Sequence, residues 1–127
     1  MKKRSIFFIS IVLTLFISGC KYDFLLPVPI APVPAGVKFS TQVAPIFSNS
    51  DKCTSCHKPG GSKSSPDFTA ANAFNSLMPM LVNTASPDQS KIITIPGPTS
   101  STHAWKKLTA GETAIILQWI TEGAKNN

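Results

Sequence analysis

The segment Cys53-Thr54-Ser55-Cys56-His57 sets two cysteines three positions apart and a histidine directly after the second. This motif constrains the fold more than any other feature, because it brings two thiols and an imidazole within reach of one turn of backbone. The chain has 127 residues, enough for one small domain. A domain of that size buries a limited apolar core and often depends on a disulfide, a metal ion or a cofactor.

The N-terminal segment has the pattern of an export signal. Positive charges in residues 2–4 precede a mostly apolar stretch, residues 6–17, that is too short to span a bilayer as a helix. Residues 17–20, Ile-Ser-Gly-Cys, resemble the lipobox of bacterial lipoproteins, which implies cleavage before Cys20 and acylation of that cysteine. An ordinary signal peptide that ends near a cysteine is the alternative. We therefore expect residues 1–19 to be a signal peptide, and the exported protein to be lipid-anchored to a bacterial membrane, facing the periplasm or the outer membrane and cell surface.

Residues 20–38 are expected to form a tether between the lipidated cysteine and the folded domain. Four prolines favour an extended polyproline conformation there: Pro27, Pro29, Pro32 and Pro34. Loss of the leader leaves nine lysines against six acidic residues, so the formal net charge falls from +6 to +3. These lysines are scattered along the sequence and give no reason to expect nucleic-acid binding. A solvated surface explains them more simply than a docking face for an acidic redox partner.

The first helix of the folded domain, which we place at residues 39–127, is predicted in the segment FSTQVAPIF. Its apolar face consists of Val43, Ile46 and Phe47. Ser40 or Thr41 is the expected N-cap. Pro45 is tolerated only near the first turn of a helix, so this helix is expected to be short or to start late.

The last helix is the clearest element, in the segment TAGETAIILQWITEG. Thr109 and Glu112 form a capping box, and Gly123 suits the C-terminal end. Its apolar stripe consists of Ile115, Ile116, Trp119 and Ile120. A middle helix is expected within residues 69–81, between loops rich in serine, proline and glycine, and no strand pattern of any length occurs. The predicted fold class is all-α with long loops.

Three cysteines are an odd number for an exported chain, and the count is balanced if Cys20 is acylated and the motif cysteines act together. A structural zinc site needs four ligands, and adjacent Cys56 and His57 point at one ion only with difficulty. The full set would be Cys53, Cys56, His57 and His103. A thioredoxin-like dithiol needs a parallel βαβ framework, which this composition does not indicate. A Cys53–Cys56 disulfide forms easily outside the cytoplasm but gives His57 no role.

Attachment of a c-type haem uses every residue of the C-x-x-C-H pattern. Each thiol would add to one haem vinyl group to form a thioether, and the histidine would be carried beneath the iron as its proximal ligand. Covalent attachment suits an exported protein, because the haem cannot diffuse away. One haem c held by Cys53, Cys56 and His57 is therefore the favoured interpretation. A backbone carbonyl near Pro59 or Pro66 is expected to accept the free N–H of His57.

With this motif, residues 39–127 resemble small single-haem class I cytochromes c, most closely the planctomycete-type cytochrome c domain found in bacterial lipoproteins. The matching segments are FSTQVAPIFSNSDKCTSCHKPGG, SPDQSKI and LTAGETAIILQWITEGAKNN. The resemblance implies a small all-α fold, three or so helices with long loops wrapped around one covalent haem. It also implies that the first and last helices cross and pair their apolar faces above the haem.

The second axial ligand is where the chain departs from the resemblance. Class I cytochromes usually present a methionine from the loop before the last helix, but here that loop, GPTSSTHAWKKLTAGE, contains His103 and no methionine. Met80 and Met78, beside the middle helix, are the alternatives, and an open iron is the third. Two imidazoles hold ferric iron better and lower the potential, whereas a thioether sulfur raises it.

These features predict a membrane-tethered monohaem c-type cytochrome that exchanges electrons with redox partner proteins and is not itself an enzyme. Two alternatives stay open. A haem domain with an open iron would bind a gas or peroxide, as a sensor or a peroxidase-like catalyst. A lipoprotein interaction module without haem would instead be closed by a Cys53–Cys56 disulfide.

Overall fold

The computed structural model of the protein describes residues 31–49 and 52–127. The expected signal peptide, the lipidation residue Cys20 and the first part of the tether lie outside these residues. The described part is rich in helix and contains no strand. No helix within it has the length and apolar character needed to cross a membrane. Its helical elements are a π-helix (Phe39–Val43), α1 (Ala44–Ser48), α2 (Ala73–Leu77), a 3₁₀ turn (Pro87–Gln89), α3 (Lys91–Thr94) and α4 (Ala110–Thr121).

The π-helix runs directly into α1, so a helical segment lies where the first helix is predicted. Pro45 occupies the first turn of α1, where its missing N–H costs little. The three predicted apolar positions are all buried: Val43, Ile46 and Phe47. The predicted cap by Ser40 or Thr41 is wrong. Helical structure already begins at Phe39, and Lys38 stands at the cap position without a side-chain hydrogen bond.

The far end of the chain provides the hydrogen bonds that this helix start lacks. Asn127 accepts the Phe39 N–H with its side-chain Oδ1 at 2.8 Å and the Ser40 N–H with its backbone oxygen at 2.9 Å. The first N–H groups of any helix have no partner within the helix. Here a residue that follows α4 satisfies two of them, which a local capping rule cannot predict.

Glu122 joins the tether to the domain in a similar way. Its carboxylate accepts the backbone N–H groups of Gly36 at 2.8 Å and of Val37 at 2.9 Å. The Val37 side chain is 2% exposed and belongs to the apolar core. Val33 is also partly buried against this core, so packing of the folded unit begins before the predicted start at residue 39.

Helix α4 follows the sequence pattern closely. The capping box is confirmed: the Thr109 hydroxyl accepts the Glu112 N–H at 3.2 Å, and the Glu112 carboxylate accepts the Thr109 N–H at 2.7 Å. Gly123 follows the helix with φ +95°, a conformation that glycine adopts without strain. Three members of the predicted apolar stripe are buried, namely Ile116, Trp119 and Ile120. Ile115 is only partly buried against the same core.

Aromatic side chains hold the two ends of the domain together. The ring of Phe39 in the π-helix lies 5.3 Å from Trp119 of α4 and 5.2 Å from Phe74 of α2, measured between centroids. The indole N–H of Trp119 donates to the backbone oxygen of Lys125 at 2.9 Å, so its polar atom is satisfied. The first and last helical segments therefore pack on each other through large apolar side chains.

The middle helix is much shorter than residues 69–81. Only Ala73–Leu77 is helical, and Met78 is extended, with φ −96° and ψ 135°. Pro79 explains the end of the helix, because a proline ring disfavours helical backbone at the residue before it. Beyond this point the chain runs through turns to α3, and the Ile92 N–H donates to the Leu81 oxygen at 3.1 Å.

Candidate functional site

Four predicted site residues line one cavity of about 230 Å³: Cys53, Cys56, His57 and His103. The cavity lies between the turn that follows α1 and the loop that precedes α4. Its walls are mainly apolar, with contributions from Phe47, Phe68, Leu81, Ile92, Pro96 and Leu108. The motif Cys53–His57 and the residue His103 are about fifty positions apart in the sequence. Their two thiols and two imidazoles nevertheless face the same apolar space.

The end of α1 positions the cysteine motif. The backbone oxygen of Phe47 accepts two N–H groups, from Cys53 at 2.8 Å and from Thr54 at 3.2 Å. Within the motif, the oxygen of Cys53 accepts the N–H groups of Cys56 at 3.1 Å and of His57 at 2.8 Å. These bonds form a tight turn that brings both thiols and the imidazole to the cavity.

An ion pair connects the same turn to α4. The ammonium of Lys52 contacts the carboxylate of Glu112, which also takes part in the capping box with Thr109. Burial alone would raise the pKa of Glu112. Hydrogen bonds from Lys52 and from the Thr109 N–H and hydroxyl more than offset burial, so the pKa lies below its ordinary value of 4.5.

Glu112→Gln is expected to lower the free energy of unfolding by about 1 kcal/mol at pH 7, because glutamine can keep the capping box but loses the charge that pairs with Lys52. A depressed folded-state pKa stabilises the protein above the unfolded pKa, and this stabilisation disappears as the pH falls through the folded value. The difference between wild type and variant should therefore shrink from pH 7 to pH 3 in urea unfolding. Asp88→Asn, an exposed carboxylate away from the cavity, is the control. A difference independent of pH would contradict the ion-pair account.

Gly61 lies against the backbone of the motif. A Cβ atom added there would meet the Cys56 oxygen at 2.3 Å and the Lys58 oxygen at 3.0 Å, which are backbone atoms that cannot rotate away. The Lys63 N–H donates to the same Cys56 oxygen at 3.1 Å. Any larger residue at position 61 must therefore push the motif turn outward.

Gly61→Ala is expected to destabilise the protein by about 1–3 kcal/mol, the usual cost of a forced backbone shift. Thermal unfolding of the purified protein measures this cost. Gly111→Ala is the matched control, because an added Cβ there meets nothing within 4 Å and a helical position gains from alanine. Equal melting temperatures for Gly61→Ala and wild type would show that the close approach has no consequence.

The two thiols have different surroundings. Cys53 is half-buried, and burial raises the pKa of its thiol to about 11. Hydrogen bonds from the side chains of Ser62 and Ser55 lower the pKa of the Cys56 thiol. Both cysteines are free thiols. No group of three or more His, Cys, Asp or Glu side chains in residues 31–49 and 52–127 is arranged to hold a metal ion, so the four-ligand zinc set is not assembled there.

His57 packs edge-on against Phe68, with ring centroids 5.4 Å apart, and its backbone oxygen accepts the Phe68 N–H at 3.0 Å. Burial lowers the pKa of His57, the nearby backbone of Pro66 opposes this, and His103 lowers it further. Pro66, rather than Pro59, is therefore the proline whose backbone lies beside the His57 ring. Nδ1 is nevertheless buried and makes no hydrogen bond of normal geometry within the described residues.

His103 lies in the loop between α3 and α4. The Leu108 N–H donates to the Pro96 oxygen at 2.8 Å, which closes the base of this loop. Inside the loop the ammonium of Lys107 contacts the backbone oxygen of Ser100. His103 lines the cavity, and its Nδ1 is buried without a hydrogen-bond partner among the described residues. Buried polar atoms are normally satisfied, so an unpaired nitrogen on each histidine calls for an explanation.

Neither of the candidate methionines lines this cavity. Met78 is partly buried and packs against the apolar core, while Met80 is 77% exposed. Met80 borders a separate shallow hollow with Pro79 and Asn83. Only His103 of the three proposed distal ligands therefore shares a cavity with the cysteine motif.

Sequence reasoning missed two contributors to the cavity. Phe68, which packs on His57 and stacks on Phe47 with centroids 4.9 Å apart, lies in a loop without apolar periodicity. Trp105 lines the cavity but is 71% exposed, and its position two residues after His103 was the available clue.

A comparison of the chain with protein-family models, curated proteins and solved structures found no match.

Proposed function

We propose that this protein is a monohaem c-type cytochrome that transfers electrons. Haem c would be attached through thioethers to Cys53 and Cys56, with His57 as the proximal and His103 as the distal iron ligand. The observation that carries the proposal is the shared cavity, in which two free thiols and two histidines face apolar walls. This donor set fits a covalently attached haem, which supplies one-electron exchange between ferric and ferrous iron.

The chain's own residues have distinct parts in this proposal. The apolar walls would exclude water from the cofactor, which is one of the ways a protein tunes its potential. Phe68 would pack edge-on against the ring of His57, and the nearby backbone of Pro66 would help to orient it. With His57 and His103 as its two ligands, the iron would have no position open to substrates. That arrangement favours electron transfer over gas or peroxide chemistry.

The choice of His103 over the methionines follows from where the side chains lie. His103 faces the cavity, Met78 packs in the core and Met80 is largely in solvent. Two imidazole ligands favour ferric iron relative to a histidine–methionine pair. The proposed protein is therefore a carrier of lower potential than histidine–methionine cytochromes of the same size.

Attachment to a membrane is part of the same proposal. Acylation of Cys20 would anchor the chain, and the proline-rich tether would hold the domain at a distance. The last part of the tether is fixed to the domain by the Glu122 carboxylate and by burial of Val37. The haem domain would thus be held at one defined end.

A visible absorption spectrum tests the function. The protein is made in a host with cytochrome c maturation, extracted with acidified organic solvent to remove non-covalent haem, refolded, and then oxidised and reduced. Sharp α and β bands in the reduced protein are expected, with no far-red methionine–iron band in the oxidised form. Rapid, complete binding of carbon monoxide would instead favour a gas- or peroxide-binding domain. Absence of haem would leave Cys53 and Cys56 as a disulfide pair or metal clip.

A further inference from the structure

One carboxylate oxygen at the start of α4 connects two segments that are far apart in the sequence. Oε2 of Glu112 accepts the N–H of Thr109 at 2.7 Å and its hydroxyl at 2.9 Å, and the ammonium of Lys52 contacts the same atom. The Lys52 side chain is 17% exposed and the Glu112 side chain is 25% exposed, so the pair is partly shielded from water. Hydrogen bonds that involve a charged group are stronger than neutral ones, and shielding from solvent strengthens them further.

Lys52 belongs to the turn that carries His57. It directly precedes Cys53, whose backbone oxygen accepts the His57 N–H at 2.8 Å. The Lys52 backbone oxygen also accepts the hydroxyl of Ser55, at 3.1 Å. Lys52 is therefore an integral part of the motif turn, and its side chain extends from that turn to α4.

Thr109 ends the loop that carries His103. The preceding residue, Leu108, is 2% exposed and donates its N–H to the Pro96 oxygen at 2.8 Å, which joins the two ends of the loop. Glu112 holds Thr109 by both its N–H and its hydroxyl. The ion pair therefore connects the end of this loop to the motif turn.

Contacts inside the loop join its parts to each other. The ammonium of Lys107 contacts the backbone oxygen of Ser100, and the Ser100 hydroxyl accepts the Thr102 N–H at 3.2 Å. His103 directly follows Thr102 in the sequence. We therefore expect a shift at the end of the loop to reach His103 rather than to be absorbed within the loop.

We propose that Lys52 and Glu112 are positioning residues for iron ligation, because their ion pair holds the loop of His103 against the turn of His57. The inference rests on the proposed function, in which these two histidines are the axial ligands. Thioethers would attach the turn to the haem, whereas only an iron–nitrogen bond and its own contacts would hold the loop. Loss of the ion pair should therefore loosen the distal ligand selectively.

Lys52→Met tests this role, because it removes the charge, keeps the length of the side chain and leaves the capping box in place. Binding of carbon monoxide to the reduced protein requires release of His103 from the iron, and stopped-flow absorbance measures its rate. We expect Lys52→Met to bind carbon monoxide about fivefold faster than wild type, the factor that corresponds to one partly shielded ion pair. Lys52→Arg keeps the charge and should restore the wild-type rate.

Two controls separate positioning from charge and from stability. Lys63→Met removes a positive charge from the same cavity, and Lys63 takes part in no ion pair among the described residues. Glu122→Gln weakens the contacts at the other end of α4, where the carboxylate holds the backbone of Gly36 and Val37. Both controls should leave the carbon monoxide rate at the wild-type value, even where the melting temperature falls.

Limited digestion with trypsin gives a second readout, which does not involve the haem. Trypsin cleaves after lysine, and Lys106 and Lys107 lie in the loop of His103. Cleavage of a folded protein follows the population of locally opened molecules when opening and closing are fast. We expect this site to be cut about fivefold faster in Lys52→Met than in wild type, with the fragments identified by mass spectrometry.

The visible spectrum of each variant is recorded first. A wild type without covalent haem bands overturns the proposed function. Intact bands with equal carbon monoxide rates and equal cleavage rates in Lys52→Met and wild type overturn the positioning role alone. Equal acceleration in Glu122→Gln and Lys52→Met would also overturn it, because the effect would then be one of general stability.

Discussion

Replacement of Cys53 and Cys56 with alanine is expected to abolish covalent haem attachment completely. Each thioether needs one of these sulfur atoms, and both thiols are free and face the apolar cavity. The single variants should each keep one possible bond. The measurement is the intact mass of the purified protein, together with haem absorbance after extraction with acidified organic solvent. Wild type should carry the mass of one haem, the single variants a smaller fraction, and the double variant none.

Loss of haem should also destabilise the domain, because the cavity walls would then face water. The double variant is therefore expected in low yield. Ser55→Ala is the control within the same turn, because it keeps both cysteines and removes only a hydroxyl that donates to the Lys52 oxygen and to the Cys56 sulfur. Ser55→Ala should keep full haem occupancy. A wild type without added mass, whose Cys53 and Cys56 resist alkylation until reduced, would instead establish the haem-free disulfide module.

His103→Ala is expected to open the iron to external ligands. The side chain faces the cavity from the loop before α4, and no methionine lines that cavity to replace it. We expect the reduced variant to bind carbon monoxide rapidly and completely at neutral pH, whereas wild type should bind it slowly or not at all. His103→Met should raise the reduction potential by on the order of 0.2 V, a fraction of the ~0.8 V range that axial ligands set.

Met78→Leu with Met80→Leu is the matched control for this prediction. Both substitutions conserve side-chain volume and remove the sulfur atoms, and Met80 is largely exposed. The spectrum, carbon monoxide binding and potential should stay at wild-type values. If instead the methionine variant binds carbon monoxide and His103→Ala does not, the distal ligand is a methionine and the carrier works at higher potential. Thermal unfolding of each variant separates a change in ligation from a loss of folding.

Capping and steric rules that consider only neighbouring residues predicted the structure correctly wherever the hydrogen bonds join residues close in sequence. Thr109 and Glu112 are three residues apart, so the capping box could be derived from the pattern alone, and the structure contains both of its bonds. Pro45 in the first turn of α1 and Gly123 after α4 follow from backbone sterics for the same reason. The motif turn at Cys53 is closed by backbone hydrogen bonds between residues three to seven positions apart. Such features depend only on residues that lie close together in the sequence.

Local rules failed where a distant residue competes. Ser40 or Thr41 is an acceptable cap by type, but Asn127 reaches the start of the helix and takes that role. Which residue satisfies the N–H groups of a helix start depends on which residues come together in space. The order of residues along the chain does not contain that information. The middle helix is a different case, because Pro79 ends it after Leu77 through a steric effect on the preceding residue that the sequence already contains.

The reactive groups of the protein can be identified from the residue types alone: a pair of thiols, a following imidazole, and a second histidine in the loop before the last helix. Their arrangement depends on the folded chain. Folding brings His103 into the cavity of the cysteine motif, leaves Met80 in solvent, and joins Lys52 to Glu112. The physical reason is that bonding types belong to single residues, whereas burial and proximity arise only when distant segments pack around a common core.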